Sequence, residues 1–501
     1  MDTATGPKGR DLLNKVPEIT LWFWIIKIMA TDTGLDTAER GRHAIGGSWR
    51  VRLVRNHVEL LDHLPAREEV PTTLGQAGAP AFWIVVVLTG VMTGFAAAAL
   101  TSLLQFVQHV MWPGPGTLLD AASNAGALRH ILVLLGAGVV TGSGQLVLTR
   151  LSSGNGIEIT AAIWFHAGRL PPLRTLGSAV LSVVIVGMGV SLGREGAPKQ
   201  AGAVAANALC DRAGLSDEQR RLLVACGAGA GMAAAYGVPL GGALFALEVL
   251  RGALSLRLVL PAIMASLIAT AVSWLVLPDA VTYPIPDYPA PLSIAVWAVL
   301  AGPIAGVVSV GYVRVIAWAD HHKPQGWQRL VAPTVALGML GVVSIWFPQL
   351  LGNGKDVSEL IFLDKVPFAT LLALLLLKPL ATFLCLGSGA PGGLFTPSLT
   401  LGALLGGVLG HAWSWLWPGV PAGEFALVGA AAVLAATTQG PISAVVLTME
   451  LTGRDRSFIV PLLLGVATAT LVSRTIERRS IYDARLTDEE VQKRLDTRDP
   501  A

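Results

Sequence analysis

Charged side chains are scarce in this chain. They make up 14% of its 501 residues, where a soluble domain carries about 25%. That is too little polar surface to keep a soluble protein of this size dispersed. Net charge is as small, +3 from 36 basic and 33 acidic residues. No polyanion footprint and no nucleic-acid motif is present, so no nucleic-acid partner is expected. Cysteine is limited to Cys210, Cys226 and Cys385, each in or beside an apolar segment and none paired at metal-ligand spacing. A disulfide framework and a metal site are therefore not expected, and the three thiols read as small buried hydrophobes. Enzyme signatures are missing as well. There is no G-x-S-x-G, no H-E-x-x-H and no aspartate inside the long apolar segments, which weighs against an intramembrane hydrolase, the distant alternative.

What is abundant is apolar. Hydrophobic residues reach 53%, and glycine alone counts 56. This composition reads as an all-α polytopic membrane protein whose small residues let helices approach closely. Long apolar segments cover 82–111, 130–150, 174–192, 258–277, 291–318, 330–350, 366–386 and 457–477. Shorter ones, at 200–210, 222–236, 239–250, 425–436 and 441–451, cannot span a bilayer alone. They imply helices that stop inside the membrane, which is tolerated only where the ends line a cavity or are buried in protein. Residues 1–79 are polar, with 10 basic and 10 acidic side chains. Their one apolar run, Leu21 to Ala30, is too short to span and reads as an interfacial helix, not as a signal peptide. Arg474, Arg478, Arg479 and Arg485 flank the last long segment and suggest a cytoplasmic C-terminus.

An internal repeat runs through the apolar region. Residues 226–250 (CGAGAGMAAAYGVPLGGALFALEVL) match 428–451 (VGAAAVLAATTQGPISAVVLTMEL), with Pro239 on Pro441 and Glu248 on Glu450 at one common offset. A Gly/Pro-rich turn precedes each copy: Gly193-Arg194-Glu195-Gly196-Ala197-Pro198 and Gly392-Gly393-Leu394-Phe395-Thr396-Pro397. Helices that begin at such turns present unpaired N–H groups and a positive dipole end, a setting for an anion without a full positive charge. Glu195 would place its own carboxylate there. When charged it competes with the anion, and when protonated it lets go. The plainer reading pairs Glu195 with Arg194 or Lys199 at an interface. A third turn, Ser152-Ser153-Gly154-Asn155-Gly156-Ile157, follows the segment 130–150 and offers a hydroxyl or amide to the same ion.

In this order the three turns resemble the CLC family of chloride channels and chloride/proton antiporters, over about residues 80–486. GREGAP is similar to the family's G[RK]EGP with Ala197 inserted, Gly393, Phe395 and Pro397 fit its GxFxP, and Ser480-Ile481-Tyr482-Asp483 fits the segment that carries its pore tyrosine. The resemblance implies a fold of two inverted repeats of tilted, partly broken helices, halves 80–277 and 291–478. The polar 1–79 region and a short tail, 479–501, would be cytoplasmic. It implies a homodimer in the cell inner membrane, each subunit with its own pore, chloride and protons as partners, and no cofactor. Residue by residue, Glu195 is similar to the gating glutamate, Tyr482 to the tyrosine that meets the anion, and Leu394 and Phe395 to the residues whose amides meet it. Gly193, Arg194 and Gly196 complete the anion-binding set, with Ser153 or Asn155 in place of the pore serine.

Two departures bear on mechanism. Aligning SSG keeps Ser153 as the pore hydroxyl, whereas aligning GNGI puts Asn155 there, the register preferred here. Because pore-serine substitutions accompany altered anion preference in the family, nitrate and fluoride stay beside chloride as substrates. Valine follows Glu248 where chloride-type antiporters have a second glutamate, and Val249 is typical of the family's channels. Some family antiporters dispense with that residue. Chloride/proton exchange is expected, with a passive channel as the alternative.

Overall fold

The computed structural model describes residues 70–494 apart from 72, 77, 152–157, 287, 289, 290, 455–457, 488 and 493. The interfacial helix expected at Leu21–Ala30 lies outside the described residues, as do Ser153 and Asn155. Among the described residues the named elements are helical, in the order α1 (Ala79–Met111), α2 (Leu118–Ser123), α3 (Ala127–Leu151), α4 (Ile159–Phe165), α5 (Pro172–Gly187), α6 (Gly196–Ala213), α7 (Asp217–Tyr236) and α8 (Pro239–Phe245). α8 runs on as a π-turn through Ala246–Arg251. There follow α9 (Leu256–Ser273), α10 (Leu292–His321), α11 (Gln328–Val343), α12 (Lys355–Phe362), α13 (Phe368–Gly387), α14 (Phe395–Ser414), α15 (Ala422–Thr438), α16 (Pro441–Thr452) and α17 (Ile459–Ile476).

Six of these, α1, α3, α9, α10, α13 and α17, are long and apolar enough to cross a membrane, and the protein is a multi-pass membrane protein. Large apolar side chains such as Phe106, Leu132, Leu376 and Leu471 stand exposed on the spans. In water that exposure would be unfavourable, whereas hydrocarbon solvates them as well as a protein core does. Burial is deepest in α7 and α15. Every residue of α15, and nearly every residue of α7, is buried.

Packing follows the repeat. α1 lies against α9 as α10 lies against α17, and α6 against α7 as α14 against α15; α3 meets its counterpart α11, and α8 meets α16. Glycine permits the tightest of these contacts. A Cβ on Gly202 of α6 would stand 2.0 Å from the Gly227 carbonyl oxygen of α7, and one on Gly402 of α14 would stand 2.4 Å from that of Gly429 on α15. Both approaches are closed to any larger residue.

The two halves also cap each other. Glu248, at the far end of α8, accepts the N–H groups of Ile442 (3.1 Å) and Ser443 (2.6 Å) at the start of α16. Glu450, at the far end of α16, accepts those of Leu240 (3.0 Å) and Gly241 (2.7 Å) at the start of α8. Two helices whose C-terminal acids each cap the other's N-terminus run antiparallel, as inverted repeats require. Each carboxylate supplies acceptors to orphan amides and sits at a positive dipole end.

One further buried charge, Lys378, organises a turn. It is buried on α13, and its ammonium donates to the carbonyl oxygens of Gln349 (3.2 Å), Leu350 (3.0 Å), Leu351 (3.4 Å) and Gly352 (3.1 Å). The turn before α12 closes on this charge.

Candidate functional site

The turns that precede α6 and α14 meet in the middle of the molecule. Gly193 N donates to the Gly393 carbonyl and Gly393 N to the Gly193 carbonyl, each at 2.8 Å, an isolated antiparallel bridge between the halves. The Glu195 side chain lies over this bridge and is fully buried. Phe395 N, at the first turn of α14, donates to its Oε1 at 2.7 Å. The Thr396 hydroxyl donates to Oε2 at 3.2 Å, and the Tyr236 hydroxyl reaches the same oxygen at 3.5 Å. A carboxylate thus occupies the amide-lined, positive end of a 20-residue helix. Glycine on both strands of the bridge leaves the carboxylate its room. A Cβ would come within 2.2 Å of the carboxylate oxygens from Gly193 and 2.0 Å from Gly393.

The residues on either side of Glu195 in the chain line two different cavities. One, of about 90 Å³, is lined by Gly196, Lys199, Leu394 and Tyr482, with Glu158 and Arg485 also in its wall. The other, of about 300 Å³, is lined by Gln105, Gln108, Arg194, Asn353 and Lys355, with Asp356 the acid in that wall. Arg194 therefore faces one cavity and Gly196 the other, and the chain crosses between them at Glu195. The Arg194 guanidinium lies 4.6 Å from the centre of the Tyr236 ring, and among the described residues no ion pair joins it to Glu195.

An aromatic row ends on Tyr482 in the wall of the smaller cavity. Tyr236 and Phe395, Phe395 and Phe245, and Phe245 and Tyr482 stand in sequence, with ring centres 6.2, 6.5 and 5.6 Å apart. Tyr482 arrives from the far C-terminal end of the chain. Ile481 N donates to the Thr437 carbonyl at 2.7 Å, and Ser480 and Asp483 bond reciprocally around the turn. Arg494, itself buried, pairs with Asp483 and donates to the Val249 carbonyl at 2.7 Å. Arg485 bridges Glu158 (2.9 Å) and Asp320 (3.1 Å) at the rim.

The structure therefore brings together Gly193, Arg194, Glu195, Gly196, Leu394, Phe395 and Tyr482 from the sequence-derived set. Three participants were not singled out from the sequence as site residues. Tyr236 and Thr396, whose hydroxyls are 2.9 Å apart, flank the carboxylate. Lys199 points its ammonium at the Tyr482 hydroxyl, 3.3 Å away. Its signal was present: it follows Glu195 by four positions on one helix and so shares its face.

Comparison with known proteins bears on this geometry. The family profile described as "Voltage gated chloride channel" (Voltage_CLC) matches residues 137–474. The chain belongs to the CLC family. It is 31% identical over 420 residues to the voltage-gated ClC-type chloride channel ClcB of Escherichia coli O81 (strain ED1a), covering 80% of this chain and 97% of that one. ClcB of Escherichia coli O157:H7 matches at the same identity and coverage. Among solved structures, a slow cyanobacterial Cl−/H+ antiporter superposes with a TM-score of 0.72 at 23% identity, over 83% of this chain and 99% of the other. A CLC-type fluoride/proton antiporter follows at 0.65 and 20%, over 81% and 98%. At these identities the structures bear on the fold, which is that of the CLC proteins.

Proposed function

We propose that this CLC protein carries chloride across the bacterial inner membrane in exchange for protons, with Glu195 as gate and proton carrier. The observation that carries the reading is the Glu195 carboxylate seated on the Phe395 amide, its neighbours in the chain lining two cavities. The same amide and the same helix end would hold a chloride ion, so carboxylate and anion compete for one place. Protonation removes the charge that holds the side chain there, and the anion moves in as the side chain leaves. Arg194 and Lys355 give the larger cavity a positive wall that raises local anion concentration. Each subunit of a homodimer would hold one such path.

A passive channel is the second reading, favoured by Val249. This residue is buried, and its carbonyl is engaged by Arg494. No carboxylate stands there to hand protons on. Tyr482 and the retained Gly393-Leu394-Phe395-Thr396-Pro397 turn favour chloride over fluoride.

The test is paired: reconstitute the full chain in chloride-loaded liposomes and follow chloride efflux and external pH together. Uphill proton uptake driven by the chloride gradient supports exchange. Fast chloride efflux without it supports the channel, and failure to move chloride at all overturns both.

A further inference from the structure

We propose that Lys199 is a direct ligand of the transported anion and supplies the full positive charge of the smaller cavity. The inference rests on the anion-path reading above and names a residue that determines affinity along that path.

The position is an unfavourable one for a cation on its own. Lys199 lies in the first turn of α6, an 18-residue helix that begins at Gly196. A helix N-terminus repels positive charge. The side chain is 5% exposed, so water does not screen it. An ammonium has three donors. One goes to the neutral Tyr482 hydroxyl at 3.3 Å, and the charge rests against the rings of Tyr482 (4.7 Å) and Phe245 (5.2 Å). Among the described residues no carboxylate lies within 4 Å of the Lys199 ammonium. Glu195 and Glu158 act on it only from beyond ion-pair distance, for Glu195 gives its oxygens to α14 and Glu158 pairs with Arg485 at the rim. Arg485 also lines this cavity, but its charge is met by Glu158 and Asp320.

A buried ammonium set against a helix dipole needs a counter-charge. The cavity it faces has room for one. A single water needs about 10–15 Å³ of such space, and about 90 Å³ is present. One monovalent anion in this cavity would take the two donors left on Lys199 and neutralise both the ammonium and the α6 terminus. A compact ammonium of this kind suits a spherical halide, because it imposes no planar fork on the ligand.

The experiment is halide titration of the purified full chain by calorimetry, wild type against Lys199→Met, with thermal unfolding as the check on folding. Lys199→Met should weaken chloride binding at least about tenfold, the loss of one charge-assisted hydrogen bond. Chloride affinity within about twofold of wild type in a folded variant overturns the assignment. A second measurement does not depend on the variant folding. Wild-type crystals soaked in bromide should show an anomalous peak in contact with the Lys199 ammonium, and bromide found along the path only away from it overturns the proposal. A wild type that binds no halide and moves none would overturn the anion-path reading itself, an outcome distinct from either result on Lys199.

Discussion

At the residue scale, the arrangement turns on what Glu195 loses with its charge. In Glu195→Gln the amide oxygen can still accept from Phe395, but no proton is exchanged. Proton uptake should fall to background in the liposome assay while chloride efflux continues. Glu195→Ala, which empties the seat on α14, should release chloride at least as fast as wild type. A variant that still drives protons uphill with unchanged stoichiometry would remove Glu195 from the gate. Gly393→Ala makes a sharper test of the seat, since its Cβ would come within 2.0 Å of the carboxylate. The side chain has to leave, so this substitution should raise chloride efflux in the wild-type background. In the Glu195→Ala background, with nothing to displace, it should add little, and a double-mutant cycle reads the difference.

At the element scale, the reciprocal caps tie α8 to α16. Glu248→Gln and Glu450→Gln each exchange a carboxylate for a neutral acceptor at a helix N-terminus, a loss of about 1 kcal/mol apiece. Lower thermal unfolding temperatures with an unchanged proton-to-chloride ratio are the expected result for both. A changed ratio in Glu248→Gln alone would give that residue a part in proton transfer. At the end of α17, hydrogen bonds from Arg479, joined by Arg314, outweigh burial and hold the Glu477 carboxyl below the usual carboxylate range. A carboxyl lowered in the folded state contributes stability above its unfolded value, about 4.3, and loses it as pH falls through the folded one. Glu477→Gln should therefore cost about 1 kcal/mol or less at pH 7. The gap from wild type should close as the pH is lowered below about 4. Unfolding temperatures of the two proteins across that range check the sign.

At the scale of the whole molecule, the C-terminal segment supplies part of the wall of the smaller cavity. Tyr482 reaches Lys199, and Arg494 reaches Asp483 and the Val249 carbonyl. The sequence presents 479–501 as a short polar tail, because Arg, Asp and Glu dominate it and no apolar run follows. Its buried partners lie on helices hundreds of positions earlier, which local composition does not report. Truncation before Ser480 should remove the phenol from the smaller cavity and take from the Lys199 ammonium the one acceptor it has among the described residues. Chloride affinity and unfolding temperature should both fall.

Local chemistry was legible in the sequence itself. The low charge and long apolar segments specified a polytopic helical protein, because hydrocarbon admits only backbones that satisfy their own hydrogen bonds. The Pro and Glu at a common offset specified a repeat, and the two Gly/Pro turns marked where helices begin inside the membrane. Each of these is read from composition or from short patterns along the chain. Tertiary structure decided which helix end the Glu195 carboxylate occupies. It also decided that Glu248 caps α16, that Lys378 closes a turn, and that Lys199 meets Tyr482. Those contacts join residues far apart in the chain, and a buried charge finds its partner only after the fold has removed water and left each ionised group the few polar atoms within reach.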